Sequence, residues 1–201
     1  MAYLESAVVV YLRAMYGIEN LILDINLAPD KYTFIEIGRE VATIVMLSMI
    51  SILAGNIKST KLGYFFFSFG IWDIFYYIWL YIFIHWPTSL LDWDILFLIP
   101  LPWWGPVIAP ILISLLLITI GYLLIKEVNL KIIAADWILI LGSIIILLYT
   151  FVEDSIRIIF TGVGNLTTVK PVRFNWILFG IGFLTWLFAC LKIFLPGFRK
   201  H

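Results

Sequence analysis

A single cysteine, Cys190, leaves no internal disulfide, no cysteine-built zinc site and no iron–sulfur cluster within this chain of 201 residues. Two histidines, His85 and His201, provide no pair of deep ligands for a b-type haem. Charge is scarce as well: Asp, Glu, Lys and Arg make up 13% of the chain, against roughly 25% in soluble domains. Thirteen basic residues balance thirteen acidic ones, which excludes a broadly basic nucleic-acid binder and a broadly acidic tail protein. Catalytic signatures are missing too. There is no Gly-x-Ser-x-Gly, no His-Glu-x-x-His, no P-loop and no Gly-x-Gly-x-x-Gly, so neither a cofactor nor a recognisable reaction is expected.

Apolar surface is what the chain has. Hydrophobic residues reach 63%, aromatic residues 17% and mean hydropathy +1.07, more than one small core can hide, so lipid must be the solvent for most of it. A span needs about 20 mainly apolar residues to cross about 30 Å of hydrocarbon. Runs of that length predict helices over Phe34–Gly55, Leu62–Trp86, Pro106–Ile125, Ile132–Val152 and Phe174–Leu195. Runs such as Ile111–Ile120 do not alternate, which excludes β-barrel strands. The expected fold is therefore all-α: a polytopic bundle of about five transmembrane helices over residues 34–201, with no internal repeat.

Residues 1–33 read differently. From Tyr3 to Ile25, Leu4, Val8, Leu12, Met15, Tyr16, Leu21, Ile22 and Ile25 recur at helical spacing, while Glu5, Arg13, Glu19, Asn20 and Asp24 punctuate them. That pattern predicts one or two interfacial helices, a sixth span being the weaker alternative. Glu5 stands where a signal peptide carries basic residues, so cleavage is not expected. Residues 88–105, TSLLDWDILFLIPLPWWG, cannot continue as a span because Pro100 and Pro102 lack an N–H and disfavour helix before them. A short half-helix or re-entrant turn is expected there, with Trp93, Trp103 and Trp104 at headgroup depth, lying over the bundle and capping any cavity that leads to Glu40.

Orientation follows from lysines in short loops. Lys58 and Lys61 flank one, Lys126 and Lys131 another, and the Trp86–Gly105 connection has none, which predicts a cytoplasmic C-terminus in a multi-pass cell-membrane protein. Asn165-Leu166-Thr167, a formal glycosylation acceptor, then lies outside.

Ionisable residues at membrane depth cost roughly 2.5–3.5 kcal/mol each on insertion scales and are functional candidates by default. Glu36, Arg39, Glu40 and Thr43 share one helical face, and Glu36 can pair with Arg39; both could equally snorkel to water, whereas Glu40 lies a turn deeper. Asp73 lies about 17 Å from either end of its span, with Tyr76 and Tyr77 at +3 and +4 and Gly70 at −3. It reads either as a neutral contact hydrogen-bonded to a tyrosine or as a proton- or cation-handling group. His85, Asp92 and Asp94 form the one His/Asp grouping, a conceivable metal site with Glu153 or Asp154 nearby, although their spacing matches no metal motif.

Three phrases carry a resemblance: Gly70 to Tyr77 (GIWDIFYY), Trp86 to Pro110, and Arg39 to Leu47 (REVATIVML). Over about a third of the chain it resembles an uncharacterised family of small bacterial and archaeal polytopic membrane proteins, a resemblance that implies no activity and no site residues. The functional expectation is a non-enzymatic membrane subunit, scaffold or assembly factor, in contact with the lipid bilayer and with a membrane-protein partner or further copies of itself. The alternatives are a small transporter or channel working through Glu40 and Asp73, and an enzyme or metal site at the outer face.

Overall fold

The computed structural model describes residues 1–16, 31–98, 101–126, 132–161 and 173–195. Six helices and one two-stranded hairpin make up these residues: α1 (Ala2–Tyr16), α2 (Lys31–Ala54), α3 (Lys58–Ile84), β1 (Trp93–Ile95), β2 (Trp104–Pro106), α4 (Ile108–Ile125), α5 (Ala134–Thr161) and α6 (Trp176–Phe194). Five of them, α2 to α6, are long and apolar enough to cross a membrane, so the chain is an all-α polytopic bundle. The span from Ile132 was expected to end at Val152, yet α5 runs on to Thr161. No Gly or Pro lies between Val152 and Gly162, and Arg157 pairs with Asp154 one turn earlier at 2.5 Å. The expectations for residues 17–25, Ile99, Pro100, Lys131, the Asn165 triplet and His201 lie outside the described residues.

Two antiparallel pairs, α3 with α4 and α5 with α6, form the centre. Lipid cannot drive helices together by hydrophobicity, so close backbone approach and interhelical hydrogen bonds must do it. Along α3 and α4 the approach depends on glycine. A Cβ on Gly121 would stand 2.6 Å from the Phe67 nitrogen and 2.7 Å from the Gly63 oxygen, and one on Gly70 would stand 2.6 Å from the Ser114 oxygen. These obstacles are backbone and cannot swing aside, so Gly121→Leu should cost at least the 1–3 kcal/mol usual for overpacking, about as much as a core defect. Thermal unfolding in detergent reads this directly; an unchanged midpoint would mean that α3 and α4 are not packed backbone to backbone. At the other pair, Lys192 Nζ donates to Asp136 Oδ1 at 2.6 Å and joins the end of α6 to the start of α5. Around Phe151, Phe174, Phe179 and Trp186 the apolar core closes.

Two elements depart from expectation. In an interfacial helix the polar face meets water, but in α1 it meets protein: Glu5 is 6% and Arg13 8% exposed, whereas Leu4 is 66% and Tyr11 67% exposed. Ser6 donates to the Tyr76 carbonyl of α3 at 2.9 Å, and Tyr3 sits edge-on to Trp79 and Phe83. The inversion is the cheaper solution beside lipid, where polar groups find partners only inside the bundle.

Between α3 and α4 stands a β-hairpin, closer to the re-entrant turn than to the half-helix of the two expected alternatives, with Trp93 opposite Pro106, Asp94 opposite Gly105 and Ile95 opposite Trp104. It enters the bundle instead of lying over it. Phe97 stacks on Phe69, about 22 Å along α3 from its Ile84 end at 1.5 Å per residue. Trp104 is buried and Trp103 stacks on Phe151.

Candidate functional site

Irregular backbone at membrane depth survives only where protein satisfies its polar groups. At the hairpin the satisfying groups come from three sources. Leu96 N–H donates to the Trp103 carbonyl at 2.9 Å, and Trp103 N–H to the Phe97 carbonyl at 2.8 Å. The Leu98 amide donates to both carboxylate oxygens of Glu40, at 3.0 and 3.1 Å, and the Pro102 carbonyl accepts from Ser155 Oγ of α5 at 2.6 Å. Glu40, the deeper of the two α2 carboxylates, thus holds the inserted tip. At the base, Asp92 Oδ2 accepts from the Thr88 amide and hydroxyl and from the Ser89 amide. Its acceptor capacity closes this turn.

One turn from Glu40, α1 and α2 share an ionic cluster. Arg39 Nε donates to Glu36 Oε2 at 2.7 Å, while the same guanidinium pairs with Glu5 of α1, which also accepts from the Thr43 hydroxyl. Glu36 and Arg39 pair as their spacing predicts, but Glu5 between them and Thr43 went unrecognised. The signal was available: Ala2, Glu5, Ser6 and Arg13 share one face of α1.

Asp73 takes a different partner from the expected tyrosine. Ser114 Oγ of α4 donates to its Oδ2 at 2.8 Å, inside the interface that Gly70 keeps tight. Ser114 could have been found as one of two aliphatic hydroxyl residues, with Thr119, inside an otherwise apolar run. Tyr77 faces Asp94 of the hairpin instead, and the Ile95 amide also lies against that carboxyl. Tyr76 stands beside Tyr77, their ring centroids 5.0 Å apart. Asp73 and Asp94 are near enough to repel each other when both are charged.

Arg13 completes the cluster. Its guanidinium carbon lies 3.9 Å above the centre of the Trp86 ring, a cation–π contact. Burial pulls the Arg13 pKa down despite the attraction of Asp94, and burial pushes Asp94 up to about 6 against the opposing pull of Arg13 and Tyr77. Thus α1, α2, α3 and the hairpin bring Glu5, Arg13, Glu36, Arg39, Glu40, Asp73, Tyr76, Tyr77 and Asp94 to one half of the bundle. Most of these groups tie one element to another. Arg13 and Asp94 are different, for Arg13 Nε and Nη2 and Asp94 Oδ2 are buried without a hydrogen-bond partner.

The expected metal grouping does not assemble. His85 is exposed at the left-handed end of α3, Asp92 is engaged in its turn and Asp94 is buried against α3. Among the described residues no group of three or more His, Cys, Asp or Glu side chains could hold a metal ion. No protein-family model matches the chain, and no curated protein or solved structure proves similar to it.

Proposed function

We propose that the chain is a non-enzymatic multi-pass protein of the cell membrane, a subunit or scaffold whose intramembrane polar groups hold a re-entrant hairpin in a fixed bundle. One observation supports this above all: Glu40 is consumed by both of its oxygens in holding the Leu98 amide. Asp73, engaged by Ser114, fits the same role. A transport group must exchange its partner during turnover, whereas these two occupy contacts between different elements.

Proteoliposomes separate the readings. Wild-type protein should carry protons, sodium or potassium no faster than empty vesicles, and Asp73→Asn should change thermal stability by about the 0.6 kcal/mol typical of an interhelical hydrogen bond. Flux above that of empty vesicles, lost in Asp73→Asn or Glu40→Gln, would establish instead the second reading, a proton- or cation-linked transporter, which the mutual repulsion of Asp73 and Asp94 favours. A photo-crosslinker at the exposed Val41, Val45 or Met49 of α2 should give one discrete adduct in native membranes. Absence of any adduct at these positions would remove the subunit role.

The lysines around Lys58 and Lys126 favour a cytoplasmic C-terminus, with the hairpin entering from the outer side. A C-terminal phosphatase fusion should be inactive and a fluorescent fusion bright. Phosphatase activity would invert the arrangement.

A further inference from the structure

The hairpin is gripped from two sides. The Leu98 amide, on the arm leaving β1, donates to Glu40 of α2, whereas the Pro102 carbonyl, on the returning arm, accepts from Ser155 of α5, next to the stack of Trp103 on Phe151. The two grips differ in chemistry. A hydroxyl on a carbonyl and a ring on a ring are indifferent to pH, but the grip on α2 is a carboxyl group, and a hydrogen bond to an ionised acceptor is roughly twice as strong as one to a neutral acceptor. Glu40 is also short of donors. An ionised carboxylate can accept about four hydrogen bonds, yet the described residues offer it one N–H, shared between its oxygens at 3.0 and 3.1 Å. Its charged neighbours do not make up the deficit. On α2 itself, Arg39 turns its guanidinium to Glu36 and to Glu5 of α1, and Glu36 adds a like charge one turn away. From α3, Tyr76 faces Arg39, and Asp73 is engaged by Ser114. The hairpin has no ionisable side chain from Ile95 to Trp104, and Asp94 before it faces Tyr77. Glu36 keeps 13% of its side chain exposed and gives a proton its way in from water.

We propose that Glu40 is a proton-operated latch: charged, it holds the hairpin tip on α2, and neutral, it lets α2 part from a tip that stays on α5. Protonation removes the charge and places a hydrogen on one of the two oxygens that share the Leu98 amide, so the grip weakens where it was strongest. The grip on α5 is unaffected. Outward, α2 presents Val41, Val45 and Met49, the face that the subunit reading gives to a partner, so the latch makes the seating of that face depend on pH. For this use it rests on the subunit reading; its chemistry concerns the isolated chain alone.

Hydrogen–deuterium exchange of the full-length chain in nanodiscs, from about pH 4 to about pH 8 and corrected for intrinsic exchange rates, reads the opening of the Leu98 amide. Glu40→Gln keeps the shape and is neutral throughout. It also retains Asp94, so whatever Asp94 contributes cancels in the comparison. Wild type should protect the tip about tenfold better than the variant at the upper end of the range, the difference between a charged and a neutral acceptor, and no better at the lower end. At the base of the hairpin, the Val107 and Ile108 amides donate to backbone carbonyls and should exchange alike in both proteins. A ratio of tip protection that stays constant with pH overturns the latch, whether it is large, which makes Glu40 a permanent tie, or close to one. If the variant does not fold, wild type labelled with 15N-leucine takes its place: the Leu98 amide proton should shift as Glu40 titrates, and a stationary resonance overturns the latch equally. A failed latch leaves the crosslinking result at α2 as it was, and a missing crosslink leaves the pH dependence of the tip intact, so the two readings fail separately.

Discussion

Replacing Arg39 by alanine should destabilise the protein by about 3–5 kcal/mol, the range seen when one member of a buried ionic group is removed and its partner stays behind. Arg39 is the single cation between Glu36 and Glu5, with which it pairs, and Glu5 is buried on the inward face of α1. The loss should far exceed the roughly 0.6 kcal/mol of an average interhelical hydrogen bond, because an uncompensated carboxylate has no water to turn to. Glu5→Gln in the Arg39→Ala background should recover part of it, since the amide needs no counter-charge. A double-mutant cycle on denaturant unfolding in mixed micelles measures that recovery, expected at about 1.5 kcal/mol or more, within the span found for contacting groups. Should Arg39→Ala cost less than about 1 kcal/mol, Glu36 and Arg39 reach water by snorkelling and the cluster does not tie α1 to α2.

The same residues show where sequence reading succeeds and where it stops. Hydropathy alone located α2, α3, α4 and α6 to within a few residues, because in lipid the length of an apolar run is itself a structural constraint. The Glu36–Arg39 pair was also legible, being local to one helix. What escaped was every partnership between elements distant in the chain: Glu5 with Arg39, Glu40 with the Leu98 amide, Ser114 with Asp73 and Lys192 with Asp136. Helical period says which residues share a face and is silent on what the face meets. The hairpin shows the point best. Pro100 and Pro102 announce that helix must stop, but strand pairing over three residues each has no readable alternation, and it persists at depth only because Glu40 and Ser155 satisfy its backbone. Likewise α1 carries an ordinary amphipathic pattern whose polar side would face water in an interfacial helix. Packed against a bundle in lipid, the same pattern turns its polar side to the protein.

Stability should also depend on pH through Asp94, and the sign discriminates between two opposing influences. Were Arg13 the stronger one, the carboxyl would be held below its ordinary 3.8 and stability would grow as pH rises. Burial outweighs it, and the folded protein holds the Asp94 proton up to a pKa of about 6. Between those values the folded state binds more protons than the unfolded chain. The contribution is therefore fully present below about pH 4 and is lost as pH rises through 6, in total on the order of 3 kcal/mol at 1.36 kcal/mol per tenfold change in proton affinity. Asp94→Asn keeps the shape, still accepts from Tyr77 and carries no charge, so it should lack this loss. Relative to wild type, the variant should gain on the order of 2 kcal/mol between pH 4.5 and pH 7, read as diverging melting temperatures in detergent free of phospholipid. Parallel profiles would place Asp94 in contact with enough water or charge to ionise normally. A wild type that gains on the variant as pH rises would mean that Arg13 closes on Asp94 as a direct ion pair.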